Sequence, residues 1–523
     1  MDLNRLLLWM AGISCSLNLL FSLRGSGGWG WRGVLCGLLL TLVICVKTIP
    51  HHAGHIVGAG WFLLVILPGL VQYAANRLLA GRRYRAALVL AKISAWLHPF
   101  DLWPDHPEII RALRCYHEGR TAEATAMINR LGRPDSALGR LAVMMEAQQT
   151  GDWEQFLHWV QSHDSESARH DENLLLGRLQ ALGELGRRQE MLHAYQQFLG
   201  ADEDADAESV GAVALRVAAL SGLPEAVDLL TDAMSSLLPK DVEKYWRLTA
   251  RQVAGIEDAT DGFRTLQASA SRYLDPMIAR RIAKPLPPIV EGELDEAAAR
   301  TREQLRARVA HETRYAVMDQ SSRRRPYATW SIAVLLIAVF FREIPGGSSN
   351  LGNLFQLGAL VIPTSFTPGQ PWRMLTAGFL HFGPLHLAMN LLGLFYLGSR
   401  LERTWGRVRT IVCYLTATFM SMGLAPMLVT PPPSQPFVIL VGASGGVMGL
   451  LGAIIGHLTV GWWRGRSRRV SRQLGMLLLL VTLQTSFDLS TPNVSFACHL
   501  LGLTTGFVFS VVLGIRTRHR PVT

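Results

Sequence analysis

Ser444 lies in Gly442-Ala443-Ser444-Gly445-Gly446, a serine walled in by glycines inside an apolar run. A serine hydroxyl becomes a nucleophile when a base takes its proton, and a neutral imidazole is the usual base near pH 7. His499, at the start of another apolar run, offers that imidazole. A third run contains HFGPLHLAMN, where His386 and Asn390 stand four residues apart and so share one helix face. A polar pair in hydrocarbon is costly unless it faces the protein interior or a water-filled cavity. Turned toward Ser444, the pair can donate hydrogen bonds to a developing oxyanion, joined by the Ser444 backbone N–H near a helix start. Together these residues could cut a peptide bond within the lipid layer. The same pentapeptide also fits G-x-S-x-G, the elbow of α/β-hydrolases, which needs a strand, a turn and a helix among alternating β and α segments. Here the flanks are apolar spans, and no downstream order of acid then histidine fits.

The elements that must position these side chains are membrane helices. The chain of 523 residues is 49% hydrophobic and only 17% charged, with a mean hydropathy of +0.21. That balance is too apolar for a soluble multidomain enzyme. Apolar runs at about 327–341, 376–398, 408–428, 438–460, 473–487 and 494–515 predict six spans. Arg400, Arg403, Arg407 and Arg409 separate the second from the third. Arg464, Arg466, Arg468, Arg469 and Arg472 separate the fourth from the fifth, and Arg516, Arg518 and Arg520 follow the sixth. The alternate connections, TPPPSQP and DLSTPN, carry no Lys or Arg. This is the positive-inside pattern, which places the basic loops in the cytoplasm. Spans two, four and six then enter from outside, so His386, Ser444 and His499 lie at similar shallow depth. The net charge of +11 comes from basic clusters flanking spans, which argues against nucleic acid as a partner. Gly502 and Gly506 form a small-xxx-small face just below His499, and Gly442, Gly445, Gly446 and Gly449 let a neighbouring helix approach the fourth span.

Runs at about 6–23, 33–49 and 55–76 predict three further helices in an N-terminal membrane region, residues 1–79, with a kink at Pro68. The first has neither a basic start nor a small-residue cleavage site, so it is not read as a removable signal. Counting back through three spans places Met1 outside. Residues 80–285 are polar and helix-favouring. Gly81, Gly119, Gly151, Gly186 and Gly222 recur there at spacings of about 32 to 38 residues, each between helical patterns. This resembles degenerate tetratricopeptide repeats, helix pairs of ~34 residues; the plainer alternative is a helical bundle with glycines at helix ends. Such a domain is a platform for a cytoplasmic protein partner. Residues 286–326 read as a charged linker ending in Arg323-Arg324-Arg325-Pro326, and residues 517–523 as a basic cytoplasmic tail. The six cysteines show no paired spacing for zinc or disulfides. His51, His52 and His55 read as a solvated outer-side cluster, so neither metal nor cofactor is expected.

The motifs of residues 327–515 resemble the rhomboid family of intramembrane serine proteases. The resemblance rests on Trp372-Arg373 in the first outer loop, HFGPLHLAMN in the second span, Gly398 and Glu402, GASGG around Ser444, and HLLGLTTG from His499. It implies an all-α fold: a six-helix core over 327–516, here joined to three extra spans and a soluble helical-repeat domain. It implies a Ser444–His499 dyad without a required third member and an oxyanion site of Asn390, His386 and the Ser444 amide. His381, Trp372, Arg373, Glu402, Gly398, Gly442, Gly445, Gly449, Gly502 and Gly506 fall to structural support. The implied substrates are single-span proteins in the bilayer, cut near the outer face; the compartment expected is a bacterial cytoplasmic membrane. Two positions depart from the family pattern. Cys498 replaces an alanine before the histidine, and Met448 replaces an aromatic that packs on it. The competing expectation is a rhomboid-like binder of client membrane proteins that does not cut.

Overall fold

Runs of Leu, Val, Ile and Phe leave the backbone no hydrogen-bond partner in hydrocarbon but itself, so they close as helices. The computed structural model describes residues 3–24, 28–100, 105–131, 137–162, 172–201, 207–234, 238–256, 259–271, 273–290, 292–315, 325–433, 435–465, 468–490 and 495–516. The basic tail 517–523 and most of the arginine-rich end of the linker lie outside the described residues. The chain packs as two units, residues 2–310 and 311–523. Among the described residues, seven helices are long and apolar enough to cross a membrane.

Three of these helices open the first unit: α1 (Leu3–Arg24), α2 (Trp29–Thr48), and a 27-residue span from Ala53 to Leu79. That third span comprises α3 (Ala53–Trp61), a π-helical turn over Phe62–Ile66, and α4 (Leu67–Ala80). Pro68 falls in the first turn of α4. The π turn before it accommodates the missing N–H and the ring.

After α5 (Tyr84–Leu97) the unit becomes a series of helical hairpins. They are α6 (His106–His117) with α7 (Thr121–Leu131), and α8 (Ala137–Thr150) with α9 (Trp153–Ser162). Next come α10 (Glu172–Glu184) with α11 (Arg188–Ala201), α12 (Ala207–Leu220) with α13 (Pro224–Ala233), and α14 (Lys240–Val253) with α15 (Ala259–Gln267). Each turn carries a left-handed glycine: Gly119, Gly151, Gly186, Gly222 and Gly255 have φ of +80, +82, +77, +65 and +74°. Gly255 extends the series beyond the glycines singled out in the sequence. Gly81 does not share the conformation; its φ is −80°. Arg82 takes the left-handed place at +57°, and its guanidinium is held by Asp241. The hairpins share one core that includes Phe156, Leu179, Met191, Val217, Tyr245 and Phe263. A near-buried ion pair, Arg281–Glu184 at 2.7 Å, ties α16 (Asp275–Ala283) to α10. The helix α17 (Glu296–Tyr315) follows.

The second unit begins with α18 (Tyr327–Glu343), 17 residues long and so ~26 Å at 1.5 Å per residue. A long loop holds α19 (Leu351–Gln356), β1 (Leu360–Ile362) and α20 (Arg373–Thr376). The second span of the sequence is not a straight helix. Arg373–Phe379 and Pro384–Trp405 form a pair bent by 92°, with Gly383 at φ +87° in the turn. Beyond the bend lie α21 (Pro384–Gly393), a π turn over Leu394–Gly398, and α22 (Ser399–Trp405). The remaining spans are α23 (Arg407–Leu428), α24 (Ser444–Gly465), α25 (Arg468–Ser490) and α26 (Phe496–Arg516). The central helix is α24, with 78% of its span buried against 17 to 39% for the other spans.

The unit is not purely helical. A short strand β2 (Val438–Leu440) pairs antiparallel with β1, Leu360 opposite Leu440 and Ile362 opposite Val438. Both strands are apolar, with two β-branched residues and a leucine in each, and each is only three residues long. In the sequence, β2 is indistinguishable from the start of the apolar run it precedes.

Candidate active site

The strand pair fixes where α24 begins. The chain leaves β2 and turns through Gly442 at φ +134°, a conformation that L side chains rarely adopt. The Gly442 N–H donates to the Ala377 carbonyl at 2.9 Å, and Val447 N–H closes the first helical bond on Ala443 at 3.1 Å. Ser444 is therefore the first residue of its helix, not a residue already inside one. The run expected to be helical from about 438 gives its first six residues to strand and turn. At such a start the first N–H groups have no intrahelical partner. Those of Ser444, Gly445 and Gly446 accordingly have no backbone acceptor among the described residues.

Close packing brings α26 to this point. A Cβ on Gly502 would lie 2.1 Å from the Gly445 carbonyl oxygen, and one on Gly506 would lie 1.8 Å from that of Gly449. A Cβ on Gly452 would lie 1.9 Å from the Leu503 oxygen. The two backbones touch along this seam with no room for a side chain. His499 stands one turn before Gly502, and Ser444 directly precedes Gly445, so both lie at the same end of the seam. Gly445 and Gly449 also admit α23: a Cβ at these positions would meet Ser421 Oγ at 2.0 Å and Ala417 Cβ at 2.1 Å. Among the described residues, Ser444 Oγ makes no hydrogen bond to His499. In free enzymes such bonds are often long and tighten when substrate binds.

His386 reaches the same point from α21. A Cβ built on Gly442 would be 3.0 Å from His386 Nε2 and 3.7 Å from Ser444 Oγ. The bare face of Gly442 is thus a small space bordered by both groups. The Phe382 N–H donates to His386 Nδ1 at 3.3 Å. Nδ1 therefore carries the lone pair and Nε2 the proton, which points a donor into that space. Asn390 is 5% exposed, one turn further along α21, and one of its amide hydrogens goes to the His386 carbonyl at 3.1 Å. Its second N–H is left for another acceptor.

The remaining sequence candidates lie around this centre. His381 is fully buried and its ring meets that of His386 edge-on at 5.3 Å. Its backbone N–H donates to the buried Glu343 carboxylate at 3.0 Å. Arg373 is 5% exposed. It donates to the carbonyls of Phe355 (2.7 Å) and Ala359 (2.8 Å) and to Gln370 Oε1 (2.6 Å). Its guanidinium lies between the rings of Phe355 and Trp372, 4.5 and 4.8 Å from their centroids. The pair Trp372-Arg373 thus folds this loop onto itself. Glu402 accepts the Ala328 and Thr329 N–H groups at 2.9 and 2.8 Å and the Thr329 hydroxyl at 2.9 Å. A carboxylate there satisfies two open N–H groups of α18 and complements its dipole. A Cβ on Gly398 would meet Thr329 at 3.1 Å, so the glycine lets the bent span reach this cap. Met448 and Cys498 are both buried.

Two residues that sequence reasoning passed over stand beside His499. Asp488 is buried, and its Oδ2 lies 2.7 Å from His499 Nδ1. Gln484 donates to the other oxygen, Oδ1, at 2.8 Å. In the sequence, Asp488 looks like the start of an exposed loop, DLSTPN, whereas α25 runs on to Ser490. The usable signal was an acidic residue abutting an apolar run, since ionisable groups within spans are expensive and lean functional. Glu343 carried a similar signal. No group of three or more His, Cys, Asp or Glu suited to a metal ion occurs among the described residues.

A multi-pass helical membrane protein with a serine at a glycine-packed helix start, a histidine across the seam and a buried His/Asn pair defines a class. The comparisons place it further. Residues 368–516 match the Rhomboid domain. Rhomboid protease GluP of Bacillus subtilis (strain 168) is 31% identical over 193 residues, 36% of this chain and 36% of that protein. RHOMBOID-like protein 4 of Arabidopsis thaliana is 32% identical over 173 residues, covering 33% and 41%. Rhomboid-like protease 3 of Toxoplasma gondii is 32% identical over 113 residues, covering 22% and 40%. These matches support the rhomboid family for this part of the chain, which spans about a third to a half of the length of these relatives. No solved structure matches. The tetratricopeptide likeness has no counterpart among the matches, and the relatives' organisms range from bacterium to plant and apicomplexan.

Proposed function

We propose that residues 327–516 are an intramembrane serine endopeptidase that cuts single-span membrane proteins near the outer face. The observation that carries this reading is the shared space at Gly442, bordered by Ser444 Oγ and His386 Nε2, at the open N–H end of the most buried span. His499 Nε2 takes the Ser444 proton as Oγ attacks the carbonyl carbon of a locally unwound substrate helix. The oxyanion is held by the Ser444 amide, His386 Nε2–H and Asn390. The imidazolium returns its proton to the departing amine, the C–N bond breaks, and an acyl-enzyme remains. Water from the outer side, deprotonated by His499, hydrolyses the ester and restores Ser444. The relatives named as proteases support the same chemistry at the level of the family.

Cleavage of a single-span fusion reporter in reconstituted vesicles tests this directly. Asn390→Ala lowers kcat by ~10²–10³-fold with little change in KM, because the lost donor serves the transition state. A reporter that is bound but never cut by the wild type would leave the non-cleaving binder as the reading. The membrane is expected to be a bacterial cytoplasmic one.

The hairpin series with its left-handed glycines supports a protein-binding platform in residues 80–285, facing the cytoplasm and gathering partners or substrates. Deleting 80–285 is expected to slow cleavage of natural substrates identified by membrane proteomics while sparing a minimal reporter. Unchanged cleavage of all of them would remove the recruiting role.

A further inference from the structure

We propose that Asp488 is a positioning residue for His499, so that the site is a relay of Ser444, His499 and Asp488, with Gln484 behind it, rather than a dyad. The inference rests on the endopeptidase reading above. Three observations carry it. First, Asp488 is enclosed, its side chain 2% exposed. A carboxylate is costly to bury unless its oxygens find donors. Here each oxygen has one: His499 Nδ1 at 2.7 Å for Oδ2, and the Gln484 amide at 2.8 Å for Oδ1. Second, the carboxylate faces the ring nitrogen that the reaction does not use. As an acceptor it requires the proton on Nδ1, which leaves the lone pair on Nε2, where a base for Ser444 needs it. When His499 becomes an imidazolium during attack, the adjacent negative charge stabilises it. Third, no aromatic ring packs on His499 among the described residues, and Met448 stands where the rhomboid pattern has an aromatic. The ring plane of His499 is therefore fixed by the hydrogen bond from α25, not by stacking from α24.

Gln484 and Asp488 are four residues apart on one face of α25, and His499 lies in the first turn of α26. The relay thus crosses from the fifth span to the sixth. It adds no step to the proposed reaction: Asp488 accepts the Nδ1 hydrogen bond throughout and exchanges no proton. Its work is to select one tautomer and one ring orientation. In serine proteases of unrelated fold, replacing the equivalent aspartate by asparagine costs ~10⁴-fold in kcat by disturbing the tautomer alone.

The test uses the full chain in native-like vesicles. Asp488→Asn, Asp488→Glu and Gln484→Leu are compared with the wild type by reporter kcat and KM, and by the rate at which a fluorophosphonate labels Ser444. All rates are normalised to the folded fraction read from thermal unfolding, so a variant that folds poorly is still informative. Asp488→Asn is expected to lower kcat and the labelling rate together by ~10²–10⁴-fold with KM unchanged, and Asp488→Glu to recover part of that loss. In a His499→Ala background, Asp488→Asn is expected to cause no further loss, because it acts only through His499. Rates per folded molecule within threefold of wild type in Asp488→Asn would overturn the proposal. So would a loss in Asp488→Asn of equal size with and without His499, the mark of a merely structural role. Wild type that neither labels nor cuts would sink the endopeptidase reading itself, a different outcome.

Discussion

Alanine at Ser444 and alanine at His499 are each expected to reduce cleavage of a single-span reporter by ~10⁴-fold or more, with the double variant no worse than either single one. The size follows from what each residue does. Without Oγ there is no nucleophile; without the imidazole the hydroxyl keeps its proton at neutral pH. The lack of additivity follows from their acting as a unit, since residues that share one step are lost together. The residual rate comes from the oxyanion donors and from holding the substrate, which neither substitution touches. KM is expected to move little. Ser444→Ala should unfold at the wild-type temperature, because Ser444 sits at a helix start; His499→Ala should unfold lower, because it leaves the buried Asp488 carboxylate without its Nδ1 donor. Quantitative immunoblotting of reporter and product, with purified enzyme for kcat and KM, checks all of this. Additive losses would mean that the two residues contribute to separate steps.

Gly506→Ala is expected to lower both activity and stability, although Gly506 touches no reacting atom. Its Cβ would lie 1.8 Å from the Gly449 carbonyl oxygen. Ordinary contact begins at 3.4 Å, so α24 and α26 must separate by roughly 1.5 Å there. A misplacement of ~1 Å can cost ~10²-fold in rate, and overpacking of this kind costs ~1–3 kcal/mol of stability or more. The expected result is a fall in kcat of ~10²-fold with a lowered unfolding temperature. Gly475→Ala is the matched control. Nothing lies within 4 Å of its Cβ position, and it should leave both quantities at wild-type values. Equal behaviour of the two variants would mean that the seam does not set the Ser444–His499 distance.

Much of this site was legible in the residue order because its parts obey local rules. Glycines at small-xxx-small spacing announce backbone contact between spans, and Gly502 and Gly506 make that contact. A His/Asn pair four residues apart announces one helix face, and His386 and Asn390 share it. Helix starts that carry Ser444 and His499 at the same end of two spans announce a shared site, and the glycine seam brings those two ends together. The parts that were not legible depend on chain segments distant in sequence. Strand β2 is recognised only by its partner β1, some eighty residues earlier. Without that partner, Val438–Leu440 reads as the first turn of a span. The same holds for the 92° bend, since its apolar composition is continuous and only Gly383 and Pro384 mark it. Asp488 was hidden by a boundary: helix α25 continues past the apolar run, so a residue that looked solvated is enclosed. In the first unit, the glycine spacing predicted the hairpin turns from Gly119 to Gly222. It failed at Gly81, where Arg82 takes the left-handed conformation.

The proposed chemistry requires Ser444 to be an activated nucleophile. The most direct measurement is reaction with a serine-reactive fluorophosphonate in native membranes, followed by mass-spectrometric mapping of the adduct. One adduct, on Ser444, is expected in the wild type and none in Ser444→Ala or His499→Ala. Undiminished labelling of Ser444 in His499→Ala would contradict it. So would no labelling of the wild type under conditions where the probe modifies another membrane serine hydrolase at the same depth.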